Sequence, residues 1–272
     1  MSNPAAQPLW DPTQYSRFEA ERDRAALDLL LRLPGELEPR TIVDLGCGTG
    51  QHAALLKRRH PQAHVTGLDS NAAMLEQART LGADVDWVQA DLATWTPEVA
   101  PDLIFANASL QWLPEHRALL GRLAGLLAPG GVIAVQMPLA WDTLHYRTMR
   151  AVRTQGPWAE RLSDRDSVQA LLDPADYYDV LAESCEAVDI WSTTYLHALT
   201  GPDAVLEWMK GTALRPYLTA LADDPAMRSA WLSASGDALS RAFPRRPDGV
   251  TLLPFPRLFL IARKRSDDDA GR

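Results

Sequence analysis

With 272 residues, 46% of them apolar and 23% charged, the chain is large enough to bury a full core as one large domain or one domain with an insertion. A formal net charge of −8 argues against a nucleic-acid partner, whose phosphates need a basic face, but leaves room for an anionic small molecule held by local arginines. No run approaches the roughly 20 apolar residues of a membrane span, Met1–Ala6 has no secretory pattern, and Cys47 and Cys185 cannot build a disulfide framework, so a cytoplasmic protein without membrane partners is expected.

Residues 1–40 form a lead-in. It opens on Trp10, Tyr15 and Phe18, and Tyr15 is the aromatic best suited to close over a cofactor, having an apolar face and a hydroxyl. The competing reading is a hydrophobic staple for the helix that follows, 20–33, which carries Ala26, Leu27, Leu30 and Leu31 at helical spacing and stops at Pro34-Gly35. Thr41-Ile42-Val43 is a strand running into Val43-Asp44-Leu45-Gly46-Cys47-Gly48-Thr49-Gly50. A dinucleotide loop reads G-x-G-x-x-G; here the spacing is G-x-G-x-G, and Gln51 stands where the third glycine would fall. Asp44 suits a ligand with an ammonium group in place of a pyrophosphate. Asp44, Gly46, Gly48 and Gly50 therefore point to S-adenosylmethionine.

Helix 51–60 leads to strand 64–69, ending in Asp69, and Ser70 is the expected N-cap of helix 71–80. Strand 85–91 ends in Asp91, and strands 103–107 and 132–136 follow, the first ending in Asn107. Alternating strands and helices predict an α/β, doubly wound, mostly parallel sheet of Rossmann-like type, which binds ligands beyond the carboxyl ends of its strands. Asp44, Asp69, Asp91 and Asn107 all fall there. Asp69, 23 positions after Gly46, is placed to accept both ribose hydroxyls, with a helix cap as the alternative. Asp91 would accept from the adenine amino group, or be a plain loop acid. Asn107 would face the methionine end, and Trp112 reads as core.

Beyond Pro138 the pattern changes to helices and loops (139–185), a strand (187–195), a helical stretch (203–243), a terminal strand (258–262) and a charged, frayed tail from Arg263. The expected organisation is a helical lead-in at 1–40, a cofactor core at 41–138, substrate-side helices with late strands at 139–265, and a tail at 266–272.

These residues resemble class I S-adenosylmethionine-dependent methyltransferases. The likeness rests on Val43-Asp44-Leu45-Gly46-Cys47-Gly48, on 102–114 (Asp-Leu-Ile-Phe-Ala-Asn-Ala-Ser-Leu-Gln-Trp-Leu-Pro) and on Val135-Gln136-Met137-Pro138. It continues through Tyr177-Tyr178-Asp179, Val188-Asp189-Ile190-Trp191, Gly211–Pro216 and Phe255-Pro256-Arg257-Leu258-Phe259, and so covers nearly the whole chain. Thr49 departs from the proline frequent in relatives. The later segments narrow the resemblance to the branch acting on trans-aconitate, a small tricarboxylate, and imply its monomethyl ester as product.

A carboxylate acceptor is already ionised near neutral pH, so the resemblance implies no catalytic base, only alignment, water exclusion and fixed donors for the other carboxylates. Arg150, Arg215 and Arg257 are the candidate donors, since a guanidinium binds carboxylate bidentately, with Tyr178 and Tyr195 as hydroxyl partners. Surface ion pairs compete as readings of the arginines, and core packing of the tyrosines. The six histidines show no metal-ligand spacing, and His52 reads as a bystander. Two rivals stay open: a methyltransferase of the same fold acting on a hydroxyl or amine, and a non-catalytic cofactor-binding module. Nothing in the sequence speaks to oligomeric state.

Overall fold

The computed structural model describes residues 19–163, 171–211 and 213–266; Tyr15, Trp10 and the rest of the lead-in before Glu19 lie outside them. Five short strands are parallel: β1 (Thr41–Leu45), β2 (His64–Asp69), β3 (Asp86–Gln89), β4 (Leu103–Asn107) and β5 (Val132–Pro138). Two long strands complete the sheet, β6 (Cys185–Thr200) and β7 (Val250–Lys264), in the order β3-β2-β1-β4-β5-β7-β6, with β7 antiparallel to β5. The central strands are continuous apolar runs because helices cover both faces of a parallel sheet. Strand order reverses between β1 and β4, which opens a crevice at their carboxyl ends.

The helices are α1 (Glu19–Leu31), α2 (Gln51–Arg59), α3 (Ala72–Arg79), α4 (His116–Leu126), α5 (Leu144–Arg153), α6 (Ala159–Leu162), α7 (Pro174–Ala182), α8 (Ala204–Lys210), α9 (Arg215–Ala220) and α10 (Pro225–Ala242). The described residues divide into two compact units. A sheet unit contains Arg22–Pro138, Leu171–Thr193 and the chain from Arg257 onward. Its core is Ile42, Leu45, Leu56, Leu68, Leu75, Leu103, Ile104, Phe105 and Phe259, all fully buried. A helical unit is built on 139–163 and 194–256. There α10 packs on α5 and α8 around Trp208, Tyr217, Trp231, Leu253 and Phe255.

Several local details differ from the sequence reading. The first helix buries Ala25, Ala26, Leu29 and Leu30, with Leu33 buried just past its end, while Leu27 and Leu31 face outward. The N-cap of α3 is Asn71, not Ser70: its Oδ1 accepts from the backbone N–H of Ala73 and Met74. Strand β3 stops at Gln89, two residues short of Asp91. The stretch read as helical from 203 to 243 is helical, as three separate helices. Both late strands are longer than read, and Arg265 is tied down by its side chain to the carbonyls of Ala182 and Glu183. Trp112, read as core, is 39% exposed.

Candidate functional site

At the end of β1 the chain turns sharply because the N–H groups of Gly46 and Cys47 both donate to the Leu68 carbonyl of β2, at 2.7 and 2.9 Å. Gly46 has φ +74°, and a Cβ there would lie 2.3 Å from that of Ser109, whose hydroxyl donates to the Leu45 carbonyl at 2.6 Å. The β1 and β4 loops are thus in direct contact, and only glycine satisfies both the left-handed backbone and the spacing. Gly50 and Gly67 leave room for one side chain, Trp87: a Cβ on either would meet its ring at 2.5 Å. The indole is therefore the floor of the glycine loop, a role the sequence reading missed. The available signal was a tryptophan on the strand next to two glycine-bearing segments.

Asp44 is 1% exposed, and its Oδ2 has no hydrogen-bond partner. Burial pushes its pKa from 3.8 up to about 7, the Asp69 charge adds to the rise, and His52 and the Ala53 N–H oppose it. His52, read as a bystander, therefore acts on the site electrostatically; its Nε2 also lies 3.2 Å from an Asp23 carboxylate oxygen. A buried carboxylate with one oxygen unpartnered is costly and calls for a cation.

Asp69 sits at the end of β2. Its Oδ2 accepts from Gly48 N at 2.9 Å and its Oδ1 from Asn71 N at 2.8 Å. Each oxygen keeps a second lone pair, so a rigidly held carboxylate remains able to accept from a vicinal diol. Asp91 is exposed and closes its own turn, with Oδ1 accepting from Ala93 N at 2.9 Å and its carbonyl from Trp95 N at the same distance. Arg122 fixes the same loop by donating to the carbonyls of Leu92 and Trp95.

Asn107 ends β4 with its Oδ1 buried and unpartnered. The next residue, Ala108, has φ +52°, a left-handed conformation that costs a non-glycine residue roughly 1–2 kcal/mol. It is held there by its N–H to the Gln136 carbonyl, at 2.9 Å.

Sheet register places four polar side chains on one face. Asp44 pairs with Phe105, two residues before Asn107; Asn107 pairs with Gln136; and Pro138, two residues on, pairs with Arg257. Because side chains alternate along a strand, Asp44, Asn107, Gln136 and Arg257 share a face across β1, β4, β5 and β7. Gln136 is 0% exposed and Arg257 5%, and Arg257 Nη1 donates to Gln136 Oε1 at 3.5 Å. On the same face Trp191 stacks on Phe259 at 4.8 Å.

The other expected substrate residues are distributed over both units. Tyr178, on α7 of the sheet unit, is 52% exposed; its neighbour Tyr177 is buried, with its hydroxyl 2.6 Å from His116 Nδ1. In the helical unit, Arg150 lies over the Trp141 ring at 4.3 Å and donates to the Trp141 carbonyl at 2.7 Å. Tyr195 is buried beside the parallel ring of His197, and Arg215 opens α9 just before Pro216. Among the described residues no group of acids, histidines and cysteines is arranged to hold a metal ion, and no helix is long and apolar enough to cross a membrane.

This donor set fits S-adenosylmethionine: a buried carboxylate with one unpartnered oxygen for an ammonium, an anchored carboxylate for a ribose, and a loop of three glycines at positive φ with open space beside Gly48. A mostly parallel sheet in this strand order, with those groups at its carboxyl edge, defines a class I methyltransferase. Residues 42–131 match the family model described as a methyltransferase domain. The chain is 50% identical over 260 residues to the trans-aconitate 2-methyltransferase of Methylobacterium radiotolerans, covering 94% of this chain and 99% of that protein. It is 49% identical to the same enzyme of an Azoarcus species, covering 94% and 99%. Among solved structures, the YcgJ protein of Bacillus subtilis has a similar fold, with a TM-score of 0.58 at 14% identity over 89% of this chain and 99% of that one. The chain belongs to the trans-aconitate 2-methyltransferase family.

Proposed function

We propose that the protein transfers the methyl group of S-adenosylmethionine to a carboxylate of trans-aconitate, giving the monomethyl ester and S-adenosylhomocysteine. The observation that carries this reading is the near full-length identity to relatives bearing that name, which extends well past the cofactor domain into both late strands and the helical unit. The sheet unit supports it independently, since its polar row runs from an acid at β1 to a buried arginine at β7.

In this reading Asp44 receives the ammonium, Asp69 the ribose hydroxyls and Asp91 the adenine amino group, with Gly46, Gly48 and Gly50 shaping the loop and Asn107 facing the methionine end. Arg257 meets one carboxylate of the acid; Arg150, Arg215, Tyr178 and Tyr195 are the further candidates for the remainder. When bound, S-adenosylmethionine supplies a sulfonium methyl that an already ionised carboxylate can displace without proton transfer. The protein's own contribution is therefore alignment and exclusion of water. It also cancels charge on the carboxylates that do not react. No histidine or lysine is assigned as a base, and no metal is assigned. A cytoplasmic setting belongs to the same proposal, supported by two unpaired thiols, Cys47 and Cys185.

The test is to incubate the purified protein with methyl-labelled cofactor and trans-aconitate. Label should move into an extractable product that mild alkali hydrolyses, as an ester requires. Labelling of an amine or hydroxyl acceptor in its place, with trans-aconitate untouched, would overturn the assignment. No transfer to any acceptor despite tight cofactor binding would favour a non-catalytic module.

A further inference from the structure

Strand β5 reads Val-Ile-Ala-Val-Gln-Met-Pro, and Gln136 is a polar side chain with no solvent exposure in an otherwise apolar run. Its Nε2 is buried without a hydrogen-bond partner. A donor left in that condition destabilises the fold, so an apolar residue would suit an inert strand better. The orientation of the amide follows from chemistry. Arg257 carries donors only, so the amide oxygen must face it and the NH2 must face away.

The row also separates by chemical type. Asp44 Oδ2 and Asn107 Oδ1, on β1 and β4, are unpartnered acceptors. Gln136 Nε2 on β5 is an unpartnered donor, and Arg257 on β7 brings a buried positive charge beside it. Acceptors suit the cationic end of a ligand and donors the anionic end. The boundary falls between β4 and β5, where Asn107 and Gln136 are register partners.

We infer that Gln136 is a specificity-determining residue that acts with Arg257 as one donor pair, its Nε2 donating to a carboxylate of the acceptor while Arg257 holds its Oε1. This rests on the proposed reaction with a polycarboxylic acid. Gln136 does more than pack: it makes the donor half of the row selective for a carboxylate at that place.

The test uses full-length Gln136→Met, which keeps the side chain's length and removes its donor, together with Gln136→Glu, which sets a negative charge beside Arg257. In Gln136→Met the Michaelis constant for trans-aconitate should rise roughly 10- to 100-fold, as for one lost charge-assisted hydrogen bond, while that for S-adenosylmethionine changes less than twofold. Wild-type preference for the tricarboxylate over an analogue lacking one carboxylate should collapse by a similar factor. Gln136→Glu should be the weaker binder of the two. The cofactor-free Met variant should melt close to the wild-type temperature, since the unsatisfied amide donor and the long 3.5 Å contact with Arg257 are removed together. If wild type methylates trans-aconitate and Gln136→Met keeps its Michaelis constant and its preference, the Gln136 role is wrong and the reaction stands. If both Michaelis constants rise together or the protein melts earlier, Gln136 is structural. If wild type methylates no polycarboxylic acid, both readings fall.

Discussion

Replacing Asp44 by Asn should produce opposite effects in the empty and loaded protein. In the unfolded chain this carboxyl titrates near 3.8; in the fold, burial raises it to about 7. Below 3.8 it is protonated in both states. Between 3.8 and 7 the folded protein keeps the proton and the unfolded chain has lost it, so stability falls as pH rises through that window and levels off above it. Three pH intervals at about 1.4 kcal/mol each give a loss of about 4 kcal/mol. Asn does not ionise, so its own burial penalty is the same at every pH. Denaturant unfolding of the cofactor-free proteins should show Asp44→Asn gaining on wild type by several kcal/mol between pH 4 and pH 8. With S-adenosylmethionine the sign reverses. The carboxylate has its cation, and losing one partner of a buried pair costs about 3–5 kcal/mol, or more than a hundredfold in affinity. Wild-type affinity for the cofactor should climb as pH rises toward 7, and the variant should lose that climb. A wild-type minus variant stability difference that is flat from pH 4 to pH 8 would refute the reasoning, because the buried carboxyl would then not be titrating as its surroundings require.

Gly46→Ala should destabilise the protein by about 2–5 kcal/mol, combining a disfavoured φ with a forced contact on Ser109; calorimetry should show partial recovery in Gly46→Ala with Ser109→Gly, which relieves only the contact. Arg257→Ala should raise the Michaelis constant for trans-aconitate by roughly 10- to 100-fold and leave that for the cofactor nearly unchanged, measured by initial rates with each substrate varied. Equal rises in both would remove Arg257 from the acceptor side.

The strand ends were readable from the sequence because a parallel strand is an apolar run, and a polar residue closing it stands out. Asp44, Asp69 and Asn107 are the last or nearly last residues of their strands for that reason. What could not be read was competition among neighbours. Asp69, Ser70 and Asn71 can all cap a helix; Asp69 is already engaged by Gly48, and so the cap passes to Asn71. Asp91 looked like a strand end because β-forming residues precede it, yet its own turn pulls it off the sheet. Leu27 and Leu31 fit a helical period as well as their neighbours do, and only the packing of α1 decides which stripe goes inside. Gln136 was hidden for a different reason. Its significance depends on Arg257, 121 residues downstream, and no local pattern carries that pairing.

The same separation has a consequence for how the molecule is made. Strand β5 takes its outer neighbour from the very end of the chain, since Pro138 pairs with Arg257 and Val132 with Arg263. During synthesis at about 5–20 residues per second, the edge of β5 must wait roughly 6–24 s before its partner leaves the ribosome. For that interval a strand of Val, Ile, Ala and Met presents unpaired backbone groups to every other nascent chain nearby, which is the condition that promotes mispairing. Yield in a host cell should therefore depend on chaperone supply and translation speed more than the stability of the finished protein would indicate.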